Sequence, residues 1–269
     1  MDDRFMIRGL SVFGAWVALA ASLFAAGLPF PVGEELIYSI TWNGIPVAWS
    51  KAVTQMDTYE GREVLALRLT TRTYPFFDRI CKVDDLHESL IDPETLLPVR
   101  YMQDIKERNY RCHEVTTFDF NTLKAHYVHL VNGKEKIYDI KPGMRDIFSF
   151  MYFMRSVQLE ENTETTHRVM ADEKIYDLFL KTFGIRQVDL PHYDRDVPSL
   201  ELKPEAMFDG LFVRKGKATV WISRDPRRLL TQTRLSTPFG RVSVTLHEVN
   251  GPGDDFWITE KKDGDETDK

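Results

Sequence analysis

The chain has 269 residues, 43% of them hydrophobic, and a formal charge of −6 at neutral pH. That length supports one large β domain or two small ones around a sizeable core. An acidic balance without a basic tract leaves no electrostatic footprint for nucleic acid, so no nucleic-acid partner is expected.

Residues 1–27 read as a signal peptide. Asp2, Asp3, Arg4 and Arg8 precede an apolar run from Gly9 to Leu28, and small residues at Ala25 and Gly27, or earlier at Ala18 and Ala20, suit a signal peptidase. The two leading acids weaken the basic head of the segment, which keeps an uncleaved membrane anchor as the alternative. Either reading makes the chain an exported protein of the periplasm or cell envelope. Residues 28–250 are expected to form one domain. The last stretch, 251–269, carries seven acids and three bases and is predicted to be a solvated, disordered tail.

Past Pro29 and Pro31, Leu36, Tyr38, Ile40 and Trp42 alternate with Ile37, Ser39 and Thr41, the period of a strand. Asn43-Gly44 is a hairpin turn signal. Val47, Trp49 and Val53 occupy one face of the next strand, and the small Ala48, Ser50 and Ala52 the other. Glu60-Gly61 turns the chain again, into a strand with Leu65, Leu67 and Leu69 on a dry face and Arg68, Thr70 and Arg72 on a wet one. The meander continues through 78–91, 99–106, 109–119, 124–131 and 134–140.

The stretch from Gly143 to Gln158 breaks this pattern and predicts the one clear helix of the body. It has no Pro or Gly after Gly143, and Ile147, Phe150, Met151 and Met154 fall on one arc at 100° per residue. Asp146 is placed to cap its start. With Phe148, Tyr152 and Phe153 widening the apolar surface, the helix is expected to be buried in a concave β surface. Segments 165–170, 174–181 and 184–189 then resume short strands. Pro191 to Pro204, with three prolines, reads as a loop or edge segment. Segments 218–223, 228–236 and 241–249 close the chain as a second meander. The predicted fold class is mostly β: a single antiparallel curved sheet or barrel-like domain wrapped around one buried helix.

Arg155 falls inside the apolar arc of that helix. A buried guanidinium needs a carboxylate or several carbonyls, so it is either a structural ion-pair member or the contact for an anionic ligand. Ser149, Tyr152 and Arg155 lie three residues apart and are the candidate ligand-binding residues. Cys81 and Cys112 are the only cysteines; in an oxidising compartment they are expected to form a cross-strand disulfide. His126 and His129 point to opposite faces if they share a strand, which argues against joint metal ligation, and no metal or cofactor is expected. Asp85 and His87 share a face of their strand, and a solvated sheet surface explains their cluster. No G-x-S-x-G elbow and no Gly-rich phosphate loop occurs.

These residues also carry a resemblance. Val32-Gly33-Glu34-x-Leu36-x-Tyr38, Asp92-x-x-Thr95-Leu96-x-Pro98, Phe118-Asp119, Asp146-x-x-Ser149-x-x-Tyr152-x-x-Arg155 and Trp221-Ile222-Ser223-x-Asp225 come in that order. Together they resemble exported bacterial proteins of domain-of-unknown-function family 3108, over roughly Val32 to Val249. The resemblance implies an envelope protein with an antiparallel β fold and no established activity. Arg227-Arg228-Leu229-Leu230 departs from it, where a proline-valine step would follow the strand turn. A weaker likeness, of fold alone, is to the half-barrels of bacterial lipoprotein carriers, which wrap a helix in a curved sheet and hold acyl chains.

The function expected from this reading is non-catalytic binding of an apolar or amphiphilic envelope ligand, such as a lipid or glycolipid, by a monomer. A structural or assembly partner of envelope proteins is the alternative, and a hydrolase the third choice.

Overall fold

The computed structural model describes residues 28–171, 173–193, 196–208, 211–212, 217–237 and 240–252. The expected signal segment and nearly all of the acidic tail lie outside them. β1 (Glu35–Trp42) and β2 (Ile45–Tyr59) are joined by Asn43-Gly44, whose φ angles of 49° and 85° are both positive. That is the turn geometry whose twist matches the flanking strands. Glu60-Gly61 repeats it before β3 (Arg62–Thr73). The chain then forms the one-turn helix α1 (Asp78–Cys81) and the meander β4 (Asp84–Ile91), β5 (Pro98–Glu107), β6 (Tyr110–Asp119), β7 (Lys124–His129) and β8 (Lys134–Asp139). Two residues of strand, β9 (Arg145–Asp146), lead into α2 (Ile147–Met154). β10 (Glu164–Ala171), β11 (Lys174–Val188), β12 (Val197–Phe208), β13 (Leu211–Phe212), β14 (Lys217–Ser223), β15 (Leu230–Thr237) and β16 (Gly240–Asn250) complete the described chain.

These strands make one sheet in the order β8-β7-β6-β5-β4-β3-β2-β1-β16-β15-β14-β12-β11-β10-β9, with β13 beside β12. Neighbours are antiparallel except β9 and β10, which run parallel. The first and last long strands meet at the centre, with Glu35 opposite Asn250 and Trp42 opposite Val242. Beyond that pair the chain crosses itself closely. Gly251 has φ 92°, and a Cβ there would lie 2.2 Å from the Gly33 carbonyl oxygen, so no other residue fits without displacing backbone.

The sheet is curved but not closed. Its two edges, β8 and β9, are only residues 140–144 apart in sequence, a reach of about 20 Å at full extension. Side chains bridge the gap. Glu173, between β10 and β11, accepts from Lys134 Nζ on β8 and, at 3.0 Å, from the Tyr127 hydroxyl on β7, while its carbonyl accepts from Tyr138. From the other edge, Arg145 donates to the Thr95 carbonyl at 3.3 Å.

α2 sits where three clusters meet. Ile147 and Phe148 join Tyr101, Phe118, Tyr127 and Met144; Phe150 and Met154 join Val169, Leu180, Leu200 and Leu202; Tyr152 joins Phe30, Leu65, Leu67 and Ile91. Inward residues of β2 are small, Ala48, Ser50 and Ala52. On the outer face, Arg68 bridges Asp57 and Glu88, both at 2.7 Å, and Glu88 also takes Arg100 at 3.1 Å.

Four expectations need correction. The helix spans eight residues rather than sixteen, and Met151 is 42% exposed, so it is buried on part of its surface and not all round. Residues 78–81, expected in a strand, are helical. Much of the Pro191–Pro204 stretch belongs to β12. Pro204 is tolerated there because β14 pairs with β12 only over Ser199–Leu202, so no pairing among the described residues of β14 calls for its missing N–H. Cys81 and Cys112 are free thiols, not a disulfide. Cys81 ends α1 in solvent, with the neighbouring Lys82 carbonyl bound to Arg108 N–H at the hairpin tip, while Cys112 points inward from β6. Bridging needs Cβ atoms aimed at each other.

Candidate functional site

The first polar cluster forms where α2 ends. Thr54 holds the entry to β1: its Oγ1 accepts from Glu34 N–H at 3.1 Å and donates to the Pro31 carbonyl at 2.9 Å. This turns the Glu34 carboxylate inward, where it is fully buried. Arg155, the residue closing α2, donates Nη1 to Oε1 at 2.6 Å and Nη2 to Oε2 at 2.9 Å, and Nε to the Arg227 carbonyl at 3.0 Å. Arg227 adds Nη2 to Oε2 at 2.7 Å. Burial pushes the Glu34 carboxyl up, but Arg155 and Arg227 together outweigh it and hold the group below the usual carboxylate value. Burial likewise pulls Arg155 down, and Glu34 reverses the direction. This is the fork-to-fork geometry of a strong charge-assisted pair.

Each nitrogen of the Arg155 guanidinium is therefore engaged within the protein. Of its two readings, the arrangement is that of a structural ion pair. Tyr152 lies beside it, edge-on to Phe30 at 4.9 Å. Ser149 belongs to a second network: Asp146 Oδ1 accepts from the backbone of Phe148 and Ser149 at 2.8 and 3.0 Å, and Oδ2 from the Ser89 and Ser149 hydroxyls, both at 2.7 Å. Burial raises the Asp146 carboxyl despite these hydrogen bonds. The expected trio thus divides: Tyr152 and Arg155 meet at one network, and Ser149 caps the helix in another.

A third network was not visible from motifs. Cys112 and Glu114 are two apart on the inward face of β6, and His129 is directly opposite Glu114 in the ladder. Cys112 Sγ lies 3.4 Å from Glu114 Oε2 and 3.8 Å from His129 Nε2. Tyr127 donates to Glu114 Oε2 at 2.6 Å, and Gln103 Nε2 donates to Oε1. Behind Gln103 stand Tyr101, at 3.2 Å, and His87, 3.0 Å from the Tyr101 hydroxyl. Burial, with Glu114 close by, pushes the Cys112 thiol up to about 11, so it is not a thiolate nucleophile. His126 faces outward to Glu135 at 3.3 Å, apart from His129, as strand alternation requires. The available sequence signal was a Cys-x-Glu step on one strand with a histidine in register across the hairpin.

The outer surface adds one more feature. Of the eleven exposed large apolar side chains described, seven lie at one end of the sheet: Trp42, Ile45, Phe76, Ile80, Tyr110, Leu130 and Val131. The end is common to the β1–β2 turn, α1, the β5–β6 turn and the β7–β8 turn, which stack as alternate hairpins. Backbone bonds tie them together: Tyr74 N–H to the Val47 carbonyl at 3.0 Å, Arg108 N–H to Lys82 at 2.8 Å, and Leu130 N–H to His113 at 2.7 Å. Segments 74–83, 106–111 and 130–134 hold Arg79, Lys82, Lys106, Arg108, Arg111 and Lys134 against only Asp78 and Glu107. Lys106 pairs with Asp104 and Lys134 with Glu173, which leaves Arg79, Lys82, Arg108 and Arg111 as the modest basic excess of an apolar rim on a chain of overall negative charge. By contrast, an open groove of about 830 Å³ over β1, β15 and β16 is lined by polar groups, among them Thr41, Gln232, Arg234, Ser236 and Thr245.

Comparison with known proteins agrees with the fold. The family model described as protein of unknown function DUF3108 matches residues 37–247. No curated protein matches the chain. Among solved structures, a β-barrel-like protein of domain of unknown function DUF1849 from Brucella abortus is similar, with a TM-score of 0.54 at 11% identity, covering 82% of this chain and 98% of that one. A Bacteroides fragilis protein with a YmcC-like fold, provisionally described as exported, covers 83% of this chain and 98% of its own at 8% identity, but its TM-score is 0.36. At such identities the likeness speaks to fold alone.

Proposed function

The chain belongs to the DUF3108 family, and on that premise we propose that it is an exported, non-catalytic envelope protein that binds amphiphilic lipid at its apolar rim. The observation that carries this reading is the concentration of exposed large apolar side chains at one end, with Phe76 73% and Val131 62% exposed. Large apolar side chains exposed together with charge at one end of a sheet are the ordinary mark of an interaction site. The excess of basic residues in the same segments favours anionic headgroups, each cation near such a surface being worth about 1 kcal/mol. Engagement at the rim replaces the internal pocket expected at Ser149, Tyr152 and Arg155, because the polar atoms of Ser149 and Arg155 already bond within the protein.

The alternative, a protein partner adding a strand at the open edge, finds less support. β8 presents Lys134, Glu135, Lys136 and Asp139, the charged dressing by which edges avoid pairing.

Vesicle flotation tests the proposal. Purified protein should float with vesicles containing phosphatidylglycerol and release as salt rises. A Phe76→Ser, Ile80→Ser, Val131→Ser variant should lose at least about tenfold in partitioning, with its urea midpoint near that of the parent, since exposed substitutions change stability by about 0.5 kcal/mol or less each. Equal flotation of variant and parent, or no flotation of the parent, would refute the lipid reading.

A further inference from the structure

We propose that Cys112, Glu114 and His129 form a binding site for one divalent d-block metal ion, with Zn²⁺ the ion that the ligand set fits. This site does not rest on the lipid reading.

Two ligands at i and i+2 on one strand, and a third across the ladder, converge on one point of the inward sheet face. A thiolate, an imidazole and a carboxylate are the usual ligands of Zn²⁺, with bonds of about 2.0–2.3 Å. Tetrahedral coordination at such bond lengths sets ligand atoms about 3.3–3.8 Å apart. Two of the three separations here are 3.4 and 3.8 Å, and all three ligand atoms lie within 4.8 Å of one another. Three protein ligands leave the fourth position to water.

The surroundings are built as a supporting shell. Glu114 is 6% exposed and is held on both oxygens, by Gln103 on one and Tyr127 on the other. Tyr101 and His87 in turn fix Gln103. Partners of this kind orient metal-binding carboxylates.

A second observation is independent of the ligand geometry. No Lys or Arg pairs with Glu114 among the described residues. The Tyr127 hydroxyl lies 2.6 Å from Glu114 Oε2 and 3.0 Å from Glu173 Oε1, yet it has one proton for the two carboxylates. Glu173 already has Lys134 as its counter-charge, and a cation on Glu114 supplies the direct partner that this second carboxylate lacks among the described residues.

Binding has a defined proton balance. The Cys112 S–H bond breaks and its proton leaves to solvent as sulfur bonds to the metal. His129 offers the Nε2 lone pair, so its ring proton moves to Nδ1. Nδ1 now accepts from Val131 N–H at 3.2 Å, and that amide, in the exposed 130–133 turn, passes to water.

The experiment is calorimetric titration of zinc chloride into the reduced protein carrying Cys81→Ser, which removes the other thiol. One Zn²⁺ per chain should bind, with proton release visible as a dependence on buffer. The Co²⁺ form should show a sulfur-to-metal charge-transfer band that Cys112→Ser abolishes. His129→Gln and Glu114→Gln should each weaken Zn²⁺ binding about tenfold or more. His126→Gln, whose side chain faces outward, should leave it unchanged. His129 is half-buried near a strand end, so its variant remains foldable and keeps the test decisive should Cys112→Ser unfold. Absence of Zn²⁺ binding, binding unaffected by His129→Gln, or equal loss in His126→Gln would overturn the site.

Discussion

Replacement of Arg155 by methionine tests what fastens α2 to the sheet. Methionine keeps the length and apolar stem of arginine but deletes both bonds to Glu34 and the one to the Arg227 carbonyl. Hydrogen bonds to charged groups are worth about 1.5–3 kcal/mol each, and removing one partner of a buried pair costs about 3–5 kcal/mol because it strands the other. Arg227 remains 2.7 Å from Glu34, so the expected loss is at the lower end, about 3 kcal/mol. With a urea slope of about 3 kcal/mol per M for a domain of this size, the midpoint falls by about 1 M. Glu34→Gln should cost more, since it leaves two buried guanidinium groups without their anion. The double variant should then lose less than the sum of the two, by at least about 1 kcal/mol. Urea unfolding followed by tryptophan fluorescence gives all three values. A midpoint for Arg155→Met within experimental error of the parent, or strict additivity in the double variant, would refute the account of Arg155 as a structural bolt.

Two further outcomes follow from the same networks. Glu34 is held below its ordinary value of 4.5, so its contribution is fully present above that value and is lost as pH falls through the lower, folded-state value; the stability gap between parent and Glu34→Gln should therefore narrow on acidification, and a gap independent of pH would count against the pairing. Asp146 is shifted the other way by burial, so its penalty is present at neutral pH and fades as pH falls towards 3.8. Asp146→Ala should cost about 2–3 kcal/mol in thermal or urea unfolding, combining the lost cap with the buried Ser89 hydroxyl left unmatched, while Ser149 keeps its bond to the backbone carbonyl of residue 146, whereas Asp146→Asn, which keeps an acceptor for the two backbone N–H groups, should cost less; equal losses would show that the cap is not what matters.

Much of the fold was legible because strands with one wet face write their period into the chain. Leu65 and Leu67 against Arg68, and the turns at Asn43-Gly44 and Glu60-Gly61, needed no tertiary information. The helix was legible as to existence and cap, because Asp146 and an unbroken apolar run are local signals. Its length was not: Arg145 and Asp146 are drawn into pairing with Val169 and Met170, a contact fixed by the far side of the sheet. Pro204 misled for a similar reason, since the tolerance of a strand for proline depends on which neighbour stops pairing where. Arg155 announced itself as a charge out of place, but its partner lies 121 residues away at Glu34, beyond any periodicity. The cysteines misled because compartment chemistry says that two thiols tend to pair, while only the register of β6 reveals which way Cys112 points. That same register, placing His129 opposite Glu114, created the third network.

The seam between β8 and β9 has a topological consequence. The first and last long strands are hydrogen-bonded partners at the centre of the sheet, with Glu35 opposite Asn250, whereas residues 140–144 join the two unpaired margins. The sheet is thus cut, in backbone terms, where the sequence is continuous, and sewn where the described chain has its ends. Opening the polypeptide within 140–144 and linking the two ends beyond Asn250 and Glu35 would break no rung of the ladder. Such a circular permutant would place β9 to β16 first and β1 to β8 last, turning the most sequence-distant pairing into one closed by a linker. Folding of the native order must close that pairing across more than two hundred residues, an entropic delay that the permuted order would remove.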